Sequence, residues 1–424
     1  MRTVSLIVHG ARQLVTCASP GGPKRGAALR DVGIIPDGAL AIDGETIVAV
    51  GPGAELLRQY RASAMLDAAG GVVCPGFVDA HTHIVYGGDR LDEFEQRIQG
   101  AHYLDILAAG GGIASTMRAT RAAPLEVLTR AAEARLAEML RLGTTTVEIK
   151  TGYGLDTDSE LKMLAVIELL QRRSPVGIVP TFLGAHAVPP EYSGQPDAYL
   201  ARVIDEMLPA AEAWYRGSVF AGTGRPLHAD IFCERNAFTV EHTRRMLGAA
   251  RERGMAVKAH VDEFNALGGL SAALEYGALS VDHLDVTSGA EAAALAASDA
   301  VGVVLPAVNF NLGSLHYADA RGLIAAGVAL ALATDDNPGS APCPSMPLVM
   351  AIACRYQKLL PAEALNAGTI NAAYALGLGA QLGSLEAGKQ ADVLVLDAAD
   401  YRQLAGQFGG NLVQHVITRG RVLM

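Results

Sequence analysis

Long apolar runs are missing from this 424-residue chain, although half of its residues are hydrophobic. No segment reaches the roughly 18 uninterrupted apolar residues that a membrane-spanning helix needs, so no span is expected. Aromatic residues make up only 5%, too few for an aromatic-rich all-β core. Positive charge is short as well: 34 Lys and Arg stand against 44 Asp and Glu, for a net charge of −10. Phosphate backbones are gripped through an excess of Lys and Arg, so nucleic acid is not an expected partner. No long run of one charge sign occurs, which leaves no electrostatic tail. Cysteine is sparse. Cys17, Cys74, Cys233, Cys343 and Cys354 are odd in number, scattered, and form no Cys-x-x-Cys. A reduced, cytoplasmic compartment is therefore expected. Residues 1–15 carry Arg2, His9 and Arg12 among their apolar positions, unlike the core of a signal peptide.

What is abundant is small: 47 glycines and many alanines, a composition suited to close packing of helices on a sheet. Up to about residue 66 the chain reads as short strands. Two of them, at residues 39–42 and 47–50, flank Asp43-Gly44-Glu45, a strong hairpin signal. The last stretch looks alike, with apolar runs at 391–396 and 412–417 and a turn at Arg419-Gly420. Neither end can build a core alone, so the two are expected to pair into one small β domain. Between them, strand-length apolar runs alternate with helical patterns, the mark of βα units and a parallel sheet. Candidate strands fall near residues 73–80, 143–150, 177–184, 227–232, 255–260, 279–283, 301–306 and 327–334. Helices are expected at 125–142 behind Pro124, at 158–173 behind a Thr157/Glu160 capping box, and at 239–253 before Gly254. Eight such units favour a closed barrel over an open doubly wound sheet. The expected fold class is α/β: a (β/α)8 barrel over residues 67–375, with a small β domain from residues 1–66 and 376–424.

Barrel enzymes carry their chemistry at the C-terminal ends of the strands. Here those ends bear His81 and His83, Glu148 and Lys150 with the Tyr153 loop, His186, His260, Asp282 with His283, and Asp335. His81 and His83 stand at i and i+2, so both imidazoles can reach one point. Buried imidazoles without partners are costly. Three histidines and one carboxylate form an N3O set that suits Zn²⁺ or iron and leaves a position for water. Hydrolysis then needs a neighbouring group to move protons, and Glu263 and His283 are the candidates. Glu148 and Lys150 read as an ion pair inside the barrel, and Cys74 and Cys233 as small core residues. His9, His228, His242, His316 and His415 have no metal-like companions.

Several longer strings go beyond the His-x-His pair. Pro75-Gly76-Phe77-Val78-Asp79-Ala80-His81-Thr82-His83, Gly111-Gly112-Ile113, Glu148-Ile149-Lys150-Thr151-Gly152-Tyr153-Gly154, Gly184-Ala185-His186 and Thr334-Asp335-Asp336-Asn337-Pro338-Gly339-Ser340 resemble the imidazolonepropionase family of the amidohydrolase superfamily. The resemblance spans about residues 72–392 and departs from the family pattern at Ala80 and Asp336. It implies a distorted (β/α)8 TIM-like barrel with a small β-sandwich domain built from both termini, and one Zn²⁺ or Fe³⁺ per subunit on His81, His83, His260 and Asp335. It also implies a carboxylate anchor at Arg90, further substrate contacts from Tyr103, Tyr153, His186, Glu263, Asn337, Gly339 and Ser340, and proton handling by Glu263, His283 and Asp335. Expected from it are hydrolysis of the cyclic amide of 4-imidazolone-5-propanoate to N-formimidoyl-L-glutamate, and a homodimer. A ring deaminase of the same superfamily and a non-catalytic barrel scaffold are the rival readings.

Overall fold

The computed structural model describes residues 2–19, 21–101 and 110–424. The N-terminal stretch supplies β1 (Arg2–Val15), β2 (Ile34–Asp43), β3 (Thr46–Pro52), β4 (Tyr60–Asp67) and β5 (Val72–Pro75). Strands β1, β2 and β3 run antiparallel in turn, and the β2–β3 turn uses Gly44 at φ 59°, a conformation that glycine reaches without strain. The first half of β1 pairs in parallel with β4 and its second half with β5, across a register shift between Val8 and Ala11.

The barrel follows as β6 (Phe77–Asp79), β7 (Thr144–Lys150), β8 (Gly177–Ala185), β9 (His228–Cys233), β10 (Ala256–Val261), β11 (Ser280–His283), β12 (Val301–Val304) and β13 (Ala329–Leu332). Each strand is parallel to the next. The expected strand at 73–80 is therefore two strands: Val72–Pro75 serves the terminal sheet and Phe77–Asp79 the barrel. The chain then returns through β14 (Val393–Leu396), β15 (Val413–Thr418) and β16 (Arg421–Val422), with β14 antiparallel to β5. Both termini thus share one sheet. It curls until Ile47 N–H donates to Lys389 O (2.9 Å) and Ala391 N–H to Glu45 O (2.8 Å). Leu6, Val8, Leu14, Leu40, Ile42, Ile47, Val73, Val393, Val395 and Ile417 form its own core, as the pairing of two ends too short to fold alone requires.

The barrel's seam lies between β6 and β13, and it closes just beyond their ends. Asp335 N–H donates to His81 O (3.0 Å) and His83 N–H to Asp336 O (2.9 Å). Below that, the Asp79 carboxylate accepts both the N–H (3.0 Å) and the hydroxyl (2.6 Å) of Thr334. Closure of the barrel and assembly of the His81, His83 and Asp335 cluster are thus one event.

Helices pack outside. Leu125–Arg141 follows Pro124, and Val240–Glu252 is capped by Thr239 and ends before Gly254 at φ 74°. Helix Thr157–Arg173 corrects the sequence-based expectation. Its cap is Asp156, whose side chain accepts Ser159 N–H (2.8 Å), rather than Thr157 with Glu160. Glu160 is buried and turns its carboxylate to the N–H groups of Gly152, Gly154 and Leu155. The residue read as a cap instead shapes the Tyr153 loop at the barrel mouth.

Candidate active site

Period-two alternation sends every second strand residue into the barrel. On β7 these are Glu148 and Lys150; on β9, His228 and Asp230; on β10, Lys258 and His260; on β11, Ser280 and Asp282. All are buried. Charged groups in such a place are tolerable only when paired and hydrogen-bonded. Lys150 Nζ meets Asp230 Oδ2 at 2.7 Å and Glu148 Oε2 at 2.8 Å, while Lys258 Nζ meets Glu148 Oε2 at 2.9 Å and Ala80 O at 2.7 Å. The neighbouring charges raise the Lys150 ammonium and lower the Glu148 and Asp230 carboxyls despite their burial. Glu148 and Lys150 are thus interior ion-pair partners, and they sit beneath the mouth.

Above this layer the four expected ligand residues converge. His81 and His83 follow β6, His260 lies on β10 and Asp335 follows β13. His83 Nε2 lies 3.3 Å from His81 Nε2 and 3.4 Å from His260 Nε2, and Asp335 Oδ1 lies 3.4 Å from both His81 Nε2 and His83 Nε2. Burial holds His81 and His83 well below the usual histidine range, so both imidazoles are neutral. His81 Nδ1–H donates to Asp282 Oδ2 (2.6 Å) and His260 Nδ1–H to Asp230 Oδ1 (3.1 Å). With Nδ1 carrying the proton, each Nε2 turns a lone pair toward the same point. Lone pairs this close repel unless a cation lies among them. Donors about 2.1 Å from a shared tetrahedral centre stand ~3.4 Å apart, so these residues fit a metal ion.

Asp230 and Asp282 thus set the tautomers of His260 and His81. Asp230 was missed in the sequence, where the fourth strand end seemed to bear nothing metal-competent. A carboxylate two residues after His228 in an otherwise apolar strand was the available signal. Asp230→Asn, which keeps the shape but weakens the hold on His260, is expected to lower metal affinity by about 10–100-fold. Competition against a chromophoric chelator measures this directly.

His283 ends β11 with φ 86°, and Asp335 has φ 55°. Non-glycine residues pay about 1–3 kcal/mol for such backbones, and here the strain aims both side chains at the cluster. His283 Nε2 is 3.8 Å from Glu263 Oε2. Glu263 is held well above the usual carboxyl range, first by burial and then by Asp335. His186 stacks on His83 at 5.1 Å and its Nδ1 contacts Gly152 O at 3.0 Å; burial and His260 push its pKa down to about 3. Its ring is neutral, and the contact to a carbonyl oxygen puts the proton on Nδ1.

One pocket is lined by His83, His260, His283, Glu263 and Asp335 together with Arg90, Tyr153, His186, Asn337, Gly339 and Ser340. Asn337 Oδ1 accepts the N–H groups of Gly339 and Ser340, both at 2.8 Å, which folds the Asn-Pro-Gly-Ser loop into a tight cup. Arg90 lies against Gly339, where a Cβ would come within 2.2 Å of Nη1, so a larger residue there would push the guanidinium out of its present place. Arg97, absent from the sequence-based candidates, also lines the pocket and donates to Gly339 O (3.2 Å). Tyr103 lies outside the described residues.

A parallel barrel with three imidazoles and a carboxylate gathered at its strand ends defines a class of metal-dependent hydrolases. The chain belongs to the amidohydrolase family, which it matches over residues 72–423. Residues 38–62 match an imidazolonepropionase-like composite domain of bacteria. Within the family it groups with the imidazolonepropionases. It is 58% identical to that of Chloroflexus aggregans over 100% of this chain and 99% of the relative. Its identity to that of Herpetosiphon aurantiacus is 49%, over 98% and 96%. Among solved structures, guanine deaminase of E. coli shares the fold at a TM-score of 0.74 and 17% identity, covering 99% of each chain. A zinc-bound adenosine deaminase from Xanthomonas campestris does so at 0.71 and 22%, covering 99% of this chain and 93% of that one.

Proposed function

We propose that the pocket hydrolyses the cyclic amide of 4-imidazolone-5-propanoate to N-formimidoyl-L-glutamate, with His81, His83, His260 and Asp335 holding one Zn²⁺ or Fe³⁺ ion. When bound, such an ion polarises a carbonyl and brings the pKa of water from 15.7 toward about 7. The chain's own residues do the rest. Arg90 takes the propionate carboxylate, with Tyr153 and His186 against the ring, so that the ring carbonyl faces the four ligands. His283 orients the carbonyl oxygen. Glu263 accepts a proton from the attacking water and returns it to the ring nitrogen as the carbon–nitrogen bond breaks. Burial and then Asp335 raise its carboxyl above the usual range, so it holds the proton more firmly than an exposed carboxylate until the ring nitrogen takes it. The five cysteines are all free, which suits a reducing cytoplasm.

What carries the reading is one pocket lined by His83, His260 and Asp335, with His81 behind them, that also holds a Glu263–His283 pair and a guanidinium. A deaminase of neutral rings has no use for a buried arginine. Arg90→Met is expected to raise KM for the imidazolone by about 10–100-fold, the loss of a charge-assisted hydrogen-bond pair, with kcat much less affected. The decay of imidazolone absorbance follows both parameters. An unchanged KM would hand the site to the deaminase reading.

A further inference from the structure

Arg90 does not stand alone in the pocket wall. Three residues on, in helix Leu91–Ile98, Glu93 takes its Nε–H at 2.8 Å and lies 2.7 Å from its Nη2, both through Oε2. The other oxygen, Oε1, accepts Gly112 N–H at 2.9 Å. Gly112 begins helix Ile113–Ala122, and Ile113 lines the same pocket as Arg90. One carboxylate therefore clamps two walls. It is nearly enclosed, with 13% of the Glu93 side chain and 9% of the Arg90 side chain exposed.

We infer that Glu93 is a positioning residue that sets substrate specificity by holding the Arg90 fork. A guanidinium can offer two parallel N–H pairs, along its side or across its end. Glu93 occupies the side formed by Nε and Nη2, so a ligand carboxylate is met by the end formed by Nη1 and Nη2. Gly339 lets that end approach its backbone closely, since any side chain there would collide with Nη1. With its side edge filled, the fork is held in one orientation for one carboxylate, that of the ligand proposed above. Without Glu93, Arg90 is free to turn, and the Gly112 end of the neighbouring helix loses its tie.

The inference rests on the reading of Arg90 as the carboxylate anchor, and the test separates the two. In the metal-loaded protein, Glu93→Ala is expected to raise KM for the imidazolone about tenfold, with kcat within about twofold and metal content unchanged. Glu93→Gln keeps an acceptor and should give a smaller rise. In the Arg90→Met background, Glu93→Ala should add much less than it does in the parental protein, because the guanidinium it positions is gone and only its tie to Gly112 is left to lose. If Arg90→Met leaves KM unchanged, the anchor reading fails. If Arg90→Met raises KM while Glu93→Ala and Glu93→Gln stay at the parental value, the positioning role fails. An equal rise from Glu93→Ala with and without Arg90 overturns it too. Should Glu93→Ala not fold, Glu93→Gln in both backgrounds makes the same distinction.

Discussion

Replacing His260 with alanine is expected to remove stoichiometric metal and to lower hydrolysis at least roughly a thousandfold. His260 Nε2 is one corner of the four-atom cluster, 3.4 Å from His83 Nε2, and its other nitrogen is tied to Asp230. Truncation leaves a ligand short and strands the Asp230 carboxylate beside Lys150 with one partner fewer. The fold should survive, since Asp230 keeps its bond to Lys150 at 2.7 Å and that to Ile231 N–H at 2.7 Å. Elemental analysis of the purified variant, beside a thermal melt, separates loss of the ion from loss of the fold. A chelator applied to the unaltered protein should reproduce the activity loss, and added metal should restore it only where His260 is present. Full turnover with full metal content in the variant would end the metal-centre reading.

The second large effect is expected from Glu263→Gln, a drop in kcat of about 10²- to 10⁴-fold, the usual contribution of a positioned acid–base group. Glutamine keeps the shape near His283 but cannot take a proton, so metal content and KM should change little. The pH profile carries an independent signature. Glu263 must be ionised to receive the proton of water, and burial with Asp335 nearby raises its carboxyl above the ordinary range. Activity should therefore rise with pH through a value above 4.5, the ordinary glutamate value, and fall as Glu263 is protonated below it. In Glu263→Gln that acid limb should vanish from the residual rate. If the limb persists unchanged, another group handles the proton.

Much of the candidate site was legible because its clustered residues obey local rules. His81 and His83 are two apart at a strand end, and His260 and Asp335 each close an apolar run, so period and position marked them without any contact information. The hairpin at Asp43-Gly44-Glu45 and the helix opened by Thr239 were readable for the same reason: turn and cap chemistry act within four residues. Glu160 shows where such rules mislead. At capping spacing from Thr157, it serves instead the N–H groups of Gly152, Gly154 and Leu155 in the loop that precedes the helix. Asp230 left only a faint local signal, a carboxylate two residues after His228 in an apolar strand, and nothing in its own segment distinguishes Arg97. Their value comes from His260 and Lys150 in one case, and from the Gly339 loop in the other.

By itself, the sequence determined the alternation of apolar strands with helices, the placement of polar residues at one end of those strands, and the dependence of each terminus on the other. These follow from side-chain period and from the apolar area each segment must hide. Tertiary structure alone decided which nitrogen of each imidazole faces the cluster and how the ammonium groups of Lys150 and Lys258 are shared among the carboxylates of Glu148, Asp230 and Asp282. Those outcomes depend on atoms brought together mostly from strands far apart along the chain. A hydrogen bond between such segments leaves no period or spacing in either one.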